Sequence, residues 1–511
     1  MDQGQQETAV AAGDDTPRGE AAPDRAVQVA VIGAGAGGLC MAIGLRNRGI
    51  TDFLVLEKSD GVGGTWRDNT YPGSGCDVPS HFYSFSFAPN PDWSRKWAAQ
   101  PEILDYFEGL VDRFGLGPHL RFGTEVTELS WSDDDRRWTL RTDAGDTIHA
   151  RVVVCGLGQL NSPYVPDIPG LGSFRGPVFH SARWDHTHDL TGERVGVIGI
   201  GASAIQFVPP VARVAGHTTL FQRSANYVAP KPDREFRPWE RWVFRHVPGV
   251  RTLYRAWTWA RLEARFSIMA RDSRLGTLLV RRFEAGVAPM ISEDLPREAL
   301  VPDYRPGCKR ILLSDDWYPT LLRDDVDVVT SDVVEVTPDG VTTADGRHVE
   351  LDALVFGTGF RSTRFLTPMK VTGAGGRDLN EVWDGGAVAY MGLSVAGFPN
   401  FFLLYGPNTN LGHNSILFMI EQQVGYVMAA LEQLERRGAA AIDVTEAALG
   451  EWDREMRRRS AETVWAGDCT SWYKTDDGRV TNNWVGHTYE YRRRARHPQW
   501  DDWRFLRPAG G

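Results

Sequence analysis

Apolar runs and glycine-rich turns alternate along this chain in a way that is typical of parallel α/β sheets. The run Val29–Ile32 leads into a glycine turn and a helix-favouring stretch, and Val195–Ile198 does the same later in the chain. Shorter strand-like segments follow each unit, at 120–129, 138–142 and 147–155 after the first and at 326–330, 333–337, 341–343 and 348–356 after the second. The pattern predicts two similar halves, each with a parallel α/β unit, a small antiparallel meander and a closing strand.

We therefore predict an α/β fold with two Rossmann-like dinucleotide-binding domains, the second inserted in the first, together with a helical subdomain. An apolar strand at 401–405 and a helix-like segment at 415–436 would complete the first domain. The expected boundaries are a disordered N-terminal tail at 1–26, a first domain at 27–162 and 356–500, a second domain at 163–355 with a helical insertion at about 235–300, and a C-terminal tail at 501–511.

Both glycine turns match the dinucleotide-binding fingerprint, in which backbone N–H groups and a helix N-terminus hold a pyrophosphate. Their key positions are Gly33, Gly35 and Gly38 in the first turn and Gly199, Gly201 and Ser203 in the second. The residue 24 positions beyond the first glycine is Glu57 in the first half and Arg223 in the second. A carboxylate there accepts hydrogen bonds from a ribose diol, whereas an arginine suits a 2′-phosphate. We therefore predict two cofactors, FAD in the first half and NADPH in the second.

The composition is that of an acidic globular protein, with 24% charged residues and a formal net charge of −10. This charge argues against nucleic acid or an anionic membrane as the main partner, and no charge-free apolar run reaches the ~20 residues of a transmembrane helix. The five cysteines are scattered, without a Cys-x-x-Cys pair or a close-spaced metal site, so we expect no metal and a reducing compartment. Because the segment 1–26 lacks the basic and apolar stretches of a signal peptide, we expect a cytoplasmic protein.

An arginine- and aromatic-rich segment at 239–283 has apolar residues at roughly helical spacing. Core-facing helices of a lid or subdomain are one interpretation, and a helix that lies on a membrane surface is another. The sequence leaves both open.

Two further motifs resemble those of type I Baeyer–Villiger monooxygenases. The segment 63–77 matches GGxWxxxxYPGxxxD, and its Gly64 and Trp66 are expected on the FAD side. The segment 174–185 matches FxGxxxHxxxW followed by aspartate, through Phe174, Gly176, His180, Trp184 and Asp185. The related flavin-containing monooxygenases typically carry another aromatic residue where the Trp-Asp pair stands. The resemblance extends over about residues 27–495.

The resemblance implies an FAD- and NADPH-dependent monooxygenase that inserts one oxygen atom from O2 next to a ketone carbonyl. The product is an ester or lactone, formed through a C4a-peroxyflavin. The family stabilises the anionic intermediates with an arginine that follows a lysine, and Lys309 and Arg310 match that motif. The resemblance therefore gives this role to Arg310 and the positioning of Arg310 to Asp77. Lys309 and Arg223 would hold the NADPH 2′-phosphate, and Gln206 would support that site.

Plainer roles remain open for several of these residues. Asp77 suits a turn or a helix cap, and Arg310 suits a surface ion pair. His180 and Trp184 suit a linker that acts in domain motion, so we assign no acid–base role to His180.

Two late segments are candidates for the substrate pocket. Asn410 and His413 lie where a strand ends and a helix begins, the usual place of ligands in α/β folds, although a helix-capping loop is equally consistent. Trp472 belongs to a motif that recurs in a subset of the family, and buried packing is its plainer role. The sequence specifies neither the ketone nor the oligomeric state. Oxygenation at sulfur or nitrogen is the alternative activity, and a nucleotide-binding protein without catalysis is a distant one.

Overall fold

The computed structural model describes residues 25–467, 469, 471–475 and 477–508. The predicted N-terminal tail therefore lies almost entirely outside the described residues. The helices are α1 Ala36–Asn47, α2 Thr65–Asp68, α3 Gln100–Phe114, α4 Ala204–Ala212, α5 Pro238–His246, α6 Val250–Ala264, α7 Arg274–Val287, α8 Arg297–Leu300, α9 Trp317–Leu321, α10 Leu379–Val382, α11 Ile416–Arg436, α12 Glu446–Ala461 and α13 Thr488–Arg496.

Short 3-10 turns occur between these helices and the strands. The strands are β1 Arg25–Ile32, β2 Phe53–Leu56, β3 Leu120–Arg121, β4 Val126–Ser132, β5 Arg137–Thr142, β6 Thr147–Cys155, β7 Val178–His180, β8 Arg194–Ile198, β9 His217–Phe221, β10 Val228–Ala229, β11 Leu312–Leu313, β12 Val326–Val329, β13 Val333–Thr337, β14 Gly340–Thr343, β15 His348–Glu350, β16 Ala353–Phe356, β17 Lys370–Thr372, β18 Phe401–Leu403, β19 Ala441–Val444 and β20 Trp503–Leu506.

The first sheet runs in the order β17-β4-β5-β6-β1-β2-β3, and β18 pairs with β6. Its central strands β1, β2, β6 and β18 are parallel, and β4, β5 and β6 form an antiparallel meander. Helix α11 covers this sheet next to α1, where a Cβ on Gly44 would lie only 3.0 Å from Val424. A side chain at this crossing would therefore require Val424 to shift.

The second sheet is parallel throughout, in the order β12-β9-β8-β16-β7. All of its strands fall between two groups of first-sheet strands, because β17 and β18 return to the first sheet after β16. The chain therefore has the predicted α/β fold, with two dinucleotide-binding units.

Two predicted strands are interrupted, each for a local reason. The segment 120–129 divides into β3 and β4 around Gly123, whose φ of +57° turns the chain from the parallel edge of the sheet into the meander. The segment 348–356 divides into β15 and β16, which join different sheets. Between them, the Asp352 carboxylate accepts hydrogen bonds from the backbone N–H and guanidinium of Arg194.

The expectation of a C-terminal tail from residue 501 needs correction. Trp503–Leu506 forms β20, which pairs antiparallel with β19. Trp503 is buried, and its indole N–H donates to the Tyr426 hydroxyl at 2.9 Å. Burial of the large apolar surface of Trp503 stabilises the paired position of this strand.

Two of the cysteines, which are scattered in the sequence, lie next to each other in the structure. Cys308 and Cys469 form a disulfide with their Cα atoms 6.5 Å apart, although 161 positions separate them in the sequence. Cys40, Cys76 and Cys155 are free and buried.

Candidate active site

The first glycine turn has two kinds of glycine. A Cβ on Gly38 would overlap the carbonyl oxygen of Gly33, and Gly33 itself has a φ of +94°, so both are required by the turn. At Gly35, by contrast, the nearest protein atom to a Cβ would be the Gly64 Cα at 3.6 Å. The chain leaves space beside Gly35 at the N-terminus of α1, and that space fits a pyrophosphate.

Glu57 follows β2 and lies beside this turn. Its carboxylate accepts from the Ala34 N–H at 2.6 Å and from the Ser59 N–H at 2.9 Å. These two bonds fix the carboxylate and leave acceptor capacity on both oxygens. The arrangement fits the ribose diol of a dinucleotide held by the turn.

The segment 63–77 starts against the first glycine turn. The Gly63 N–H donates to the Ala34 carbonyl at 3.1 Å, and Gly64 packs on Gly35. The Trp66 indole N–H donates to the Tyr83 hydroxyl at 3.0 Å. Gly64 and Trp66 therefore line the same side of the space as the turn.

The other end of this segment binds to helix α4, which begins at the second glycine turn. The Gln206 amide donates to the Gly75 carbonyl at 2.9 Å and accepts from the Tyr71 hydroxyl at 2.9 Å. Gly73 packs so closely on the Gln206 backbone that a side chain there would overlap it. Gln206 therefore joins the two nucleotide-binding units, a role that the sequence did not indicate.

The second glycine turn repeats the geometry of the first. Gly199 has a φ of +100°, and a Cβ on Gly201 would meet only the Gly357 carbonyl oxygen at 3.6 Å. Ser203 is the residue that precedes α4, and its side chain makes no capping hydrogen bond. The open side of Gly201 again fits a pyrophosphate.

Two cations lie close together at the end of β9. Arg223 is exposed, and the Lys309 ammonium donates to the Ser224 hydroxyl at 3.0 Å and lies 4.6 Å from the centre of the Tyr304 ring. Partial burial, together with repulsion from Arg223, lowers the pKa of Lys309, although Asp303 opposes this effect. Two cations that repel each other at the ribose end of the fingerprint fit a 2′-phosphate, which would relieve the repulsion.

Arg310 and Asp77 meet directly. The Arg310 Nη2 lies 2.9 Å from the Asp77 Oδ2, with 29% and 19% of the two side chains exposed. The carboxylate raises the pKa of Arg310 further above its ordinary range, so the guanidinium stays charged. Asp77 ends the segment that starts at the first turn, and Arg310 follows Lys309 of the second cofactor site. The ion pair therefore lies where the two cofactor sites converge.

Two tyrosines beside Arg310 were missed by the sequence analysis. Tyr405 donates its hydroxyl hydrogen bond to the Asn410 Oδ1 at 2.6 Å, and the Asn410 amide donates to the Asn483 Oδ1 at 2.7 Å. Tyr473 is buried, and its hydroxyl has no hydrogen-bond partner among the described residues. Burial raises the pKa of Tyr473 to about 12, so it remains a neutral donor, and the nearby Arg310 opposes the shift.

His413 and Trp472 lie near this group but serve packing as well. His413 is buried with its ring 5.1 Å from that of Phe266, and burial lowers its pKa to about 3, helped by His487 and Arg265. Trp472 packs on Tyr473 with ring centres 4.3 Å apart. This side of the site therefore carries an apolar tryptophan ring and an uncharged histidine whose Nε2 has no hydrogen-bond partner among the described residues.

The motif at 174–185 lies apart from the Arg310–Asp77 pair. His180 ends β7 at the edge of the second sheet, accepts from the Ala182 N–H at 3.1 Å, and has its pKa lowered to about 4 by burial. Trp184 packs 5.4 Å from Phe207 of α4, and Asp185 closes a surface turn onto Thr187. The other two motif residues also pack within the second unit, Phe174 in its apolar core and Gly176 against the Asp352 carbonyl. In the described residues, no hydrogen bond joins these side chains to Asp77 or Arg310.

A cavity of about 150 Å³ opens from Asp77 toward α6. Its lining includes Pro79, Trp97, Tyr254, Trp257 and Leu262, together with Lys96 and three arginines. Among the described residues, no group of three or more histidine, cysteine or acidic side chains is arranged to hold a metal ion.

Comparisons with known proteins agree with this arrangement. Residues 30–253 match the family model of the pyridine nucleotide-disulphide oxidoreductases. The chain is 47% identical over 485 residues to a Baeyer–Villiger monooxygenase of Streptomyces coelicolor, an alignment that covers 94% of this chain and 93% of the relative. The structure of an oxidized steroid monooxygenase bound to NADP superposes with a TM-score of 0.83 at 33% identity, covering 94% of this chain and 99% of that one. The structure of OTEMO complexed with FAD and NADP gives a TM-score of 0.84 at 27% identity, covering 94% and 99%.

Proposed function

The chain belongs to the Baeyer–Villiger monooxygenase family, and we propose that its Arg310–Asp77 ion pair is the centre at which a ketone becomes an ester or lactone. The enzyme depends on FAD and NADPH and inserts one oxygen atom from O2 next to the ketone carbonyl. The observation that carries the proposal is the 2.9 Å pair between the cofactor sites.

The charge of the reaction explains why a fixed arginine is needed. Addition of an oxygen nucleophile to a ketone places negative charge on the carbonyl oxygen, and a fixed cation stabilises that charge most strongly where water is excluded. Arg310 is partly buried and charged, and Asp77 raises the pKa of its guanidinium further. Asp77 balances the buried charge before substrate binds and fixes the direction of the guanidinium.

The cofactors would be held by the residues described above. Gly33, Gly35 and Glu57 suit the pyrophosphate and ribose of FAD, and Arg223 and Lys309 suit the 2′-phosphate of NADPH. When FAD is bound and reduced by NADPH, it supplies the activated oxygen for insertion. The protein must then orient the ketone, exclude water and stabilise the developing charge, and these tasks fall to Arg310 and its neighbours.

The substrate we propose is a ketone of largely apolar character. Asn410, His413 and Trp472 flank the Arg310 region, where the ring of Trp472 offers an apolar surface and His413 is neutral. The Tyr473 hydroxyl is suited to donate a hydrogen bond to the carbonyl oxygen of the ketone, because it lacks a partner in the described residues. A ketone could satisfy that donor where an alkane could not.

The test compares products, because NADPH oxidation alone does not report oxygen insertion. Purified enzyme is incubated with NADPH and a panel of cyclic, linear and aromatic ketones, and esters are identified by mass spectrometry. Arg310→Ala should abolish the ester, and Asp77→Asn should reduce it while FAD stays bound. Arg213→Ala is the matched control, since Arg213 also lies 2.9 Å from its aspartate, Asp316, but on the surface. Unchanged ester formation in Arg310→Ala would contradict the assignment.

We propose further that the chain divides into a first domain at 27–162 with 356–500 and a second domain at 163–355. The two sheets support this division, except that β16 of the second sheet ends at Phe356 and that β20, beyond residue 500, pairs with β19. The enzyme would act in the cytoplasm, where NADPH is available. Limited proteolysis tests the boundaries, and cell fractionation tests the location. Cleavage inside a sheet, or recovery outside the cytoplasm, would contradict these points.

A further inference from the structure

Tryptophans are strongly exposed at one place in the described part of this protein. Trp239 and Trp242 on α5 are 60% and 58% exposed, and Trp257 on α6 is 52% exposed. Leu253, on the same helix as Trp257, is 71% exposed. The spacings of three and four residues place each pair on one face of its helix. We call these four residues the aromatic face.

The opposite sides of the two helices are anchored, so the exposure is a property of the fold. Phe244 of α5 is buried with its ring 4.2 Å from His81, and Tyr254 of α6 also packs on His81. Near the end of α6, the buried Glu263 accepts from the Thr488 N–H and hydroxyl, both at 2.7 Å. The three-residue connection 247–249 joins the helices into a hairpin.

The charge around the aromatic face has the opposite sign to that of the whole chain. Between 237 and 265 there are seven arginines and two glutamates, whereas the chain carries a formal net charge of −10. Both glutamates are engaged within the protein, Glu240 with Arg234 at 2.6 Å and Glu263 with Thr488. The hairpin is therefore locally cationic.

Most of these arginines have no acidic partner. Arg245 pairs with Asp92, and the largely buried Arg255 lies 3.8 Å from the Glu421 carboxylate and donates to the Ser84 carbonyl at 2.8 Å. Five others form no ion pair with a carboxylate among the described residues, namely Arg237, Arg241, Arg251, Arg261 and Arg265. Tryptophan beside unpaired arginine is the composition of helices that lie in the interface of a bilayer with anionic lipids.

We propose that the hairpin of α5 and α6 docks the enzyme onto an anionic membrane surface. The aromatic face would enter the headgroup region, and the arginines would contact lipid phosphates. A crossing helix is not involved, since no helix in the described ranges is long and apolar enough to traverse a bilayer. A second copy of this chain fits less well, because a symmetric contact would place arginines opposite arginines.

The cavity gives the docking surface a use, and this step rests on the proposed function. Trp257 and Arg261 border both the aromatic face and the cavity that reaches Asp77. A ketone dissolved in the lipid could therefore enter from the membrane without crossing water. The proposal thus names ketones that partition into bilayers as the substrate class.

Binding is tested with the purified holoenzyme and sedimenting vesicles of phosphatidylcholine, with and without phosphatidylglycerol. The proposal expects binding that requires the anionic lipid, weakens at high salt and shifts tryptophan emission to shorter wavelength. The double variant Trp239→Ser/Trp242→Ser should lose at least about tenfold in partition coefficient. Leu322→Ser is the matched control, since Leu322 is 54% exposed away from the hairpin.

Activity and oligomeric state separate the remaining outcomes. With a water-soluble ketone, the double variant should match the parent enzyme, whereas with a vesicle-dissolved ketone it should be slower. Equal vesicle binding by the parent and the double variant would overturn the proposal. The proposal would also be overturned if light scattering showed that the parent enzyme is a dimer and the double variant a monomer, while neither protein bound vesicles. If the parent enzyme formed no ester from any ketone, the proposed function would be contradicted. The vesicle-binding measurement would still test the docking proposal independently.

Discussion

The preference for NADPH over NADH should depend on Arg223 and Lys309. Arg223 is exposed, so its contact with a 2′-phosphate belongs at the lower end of charge-assisted bonds, about 1.5 kcal/mol. Lys309 is less exposed and is held by Ser224 at 3.0 Å, so its contact belongs nearer the upper end, about 3 kcal/mol. Arg223→Ala should therefore reduce the NADPH/NADH ratio of kcat/KM about tenfold, and Lys309→Ala up to about a hundredfold.

The assay measures kcat/KM for both cofactors at a saturating ketone concentration, with flavin content checked for each variant. Ser224→Ala should reduce the NADPH/NADH ratio less than Lys309→Ala does, because it removes only the hydrogen bond that orients the Lys309 ammonium. Arg213→Ala, which breaks a surface ion pair with Asp316, should leave kcat/KM unchanged for both cofactors. Equal use of NADH and NADPH by the parent enzyme would refute the reasoning, and so would an unchanged ratio in the double variant of Arg223 and Lys309.

The same site predicts a pH dependence. The pKa of Lys309 lies below its ordinary value of 10.5, first because of burial and then because of Arg223. A phosphate favours the charged lysine, so NADPH binding should take up a proton and weaken as the pH rises through that pKa. KM for NADH should change less over the same range. If KM for NADPH and KM for NADH changed equally with pH, the proposed contact between Lys309 and the 2′-phosphate would be contradicted.

Three further predictions concern the flavin site, the disulfide and the core. Gly35→Val should fold yet bind little FAD, because the added side chain would enter the space left for the pyrophosphate, whereas Gly109→Val, at an exposed position of α3, should keep full FAD occupancy by absorbance. Peptide mapping of protein purified in air should recover Cys308 and Cys469 linked, whereas alkylation before lysis should trap them as thiols if the location is cytoplasmic. Trp138→Ala should lower the free energy of unfolding by about 3–5 kcal/mol in denaturant titrations, since this indole is fully buried.

Features with a local sequence signal were predicted well. Each glycine turn follows a short apolar strand, so the position of the turn and the helix start could be read directly from the residues around Gly33 and Gly199. The fold class followed from the repetition of this unit. The Asp77–Arg310 pair came from motif resemblance, and nothing in the local pattern of either residue indicated that they would meet.

Features that depend on distant contacts were missed. Tyr473 lies in a quoted motif, but only the packing around Arg310 shows that its hydroxyl is buried without a partner. Cys308 and Cys469 meet because the C-terminal segment packs against the loop that carries Lys309 and Arg310, a contact across 161 positions. Four residues near a terminus give little periodicity, so the sequence predicts a tail where the structure has the strand at Trp503.

The central claim is that this enzyme transfers one atom of O2 to a ketone at the Arg310 site. The most direct measurement is the mass of the ester formed under ¹⁸O2 in ordinary water, with NADPH consumption followed in the same reaction. The account predicts an ester with one ¹⁸O atom, close to one ester per NADPH with a good substrate, and none from Arg310→Ala. An ester without the heavy isotope, or labelled ester from Arg310→Ala at the parent rate, would contradict it.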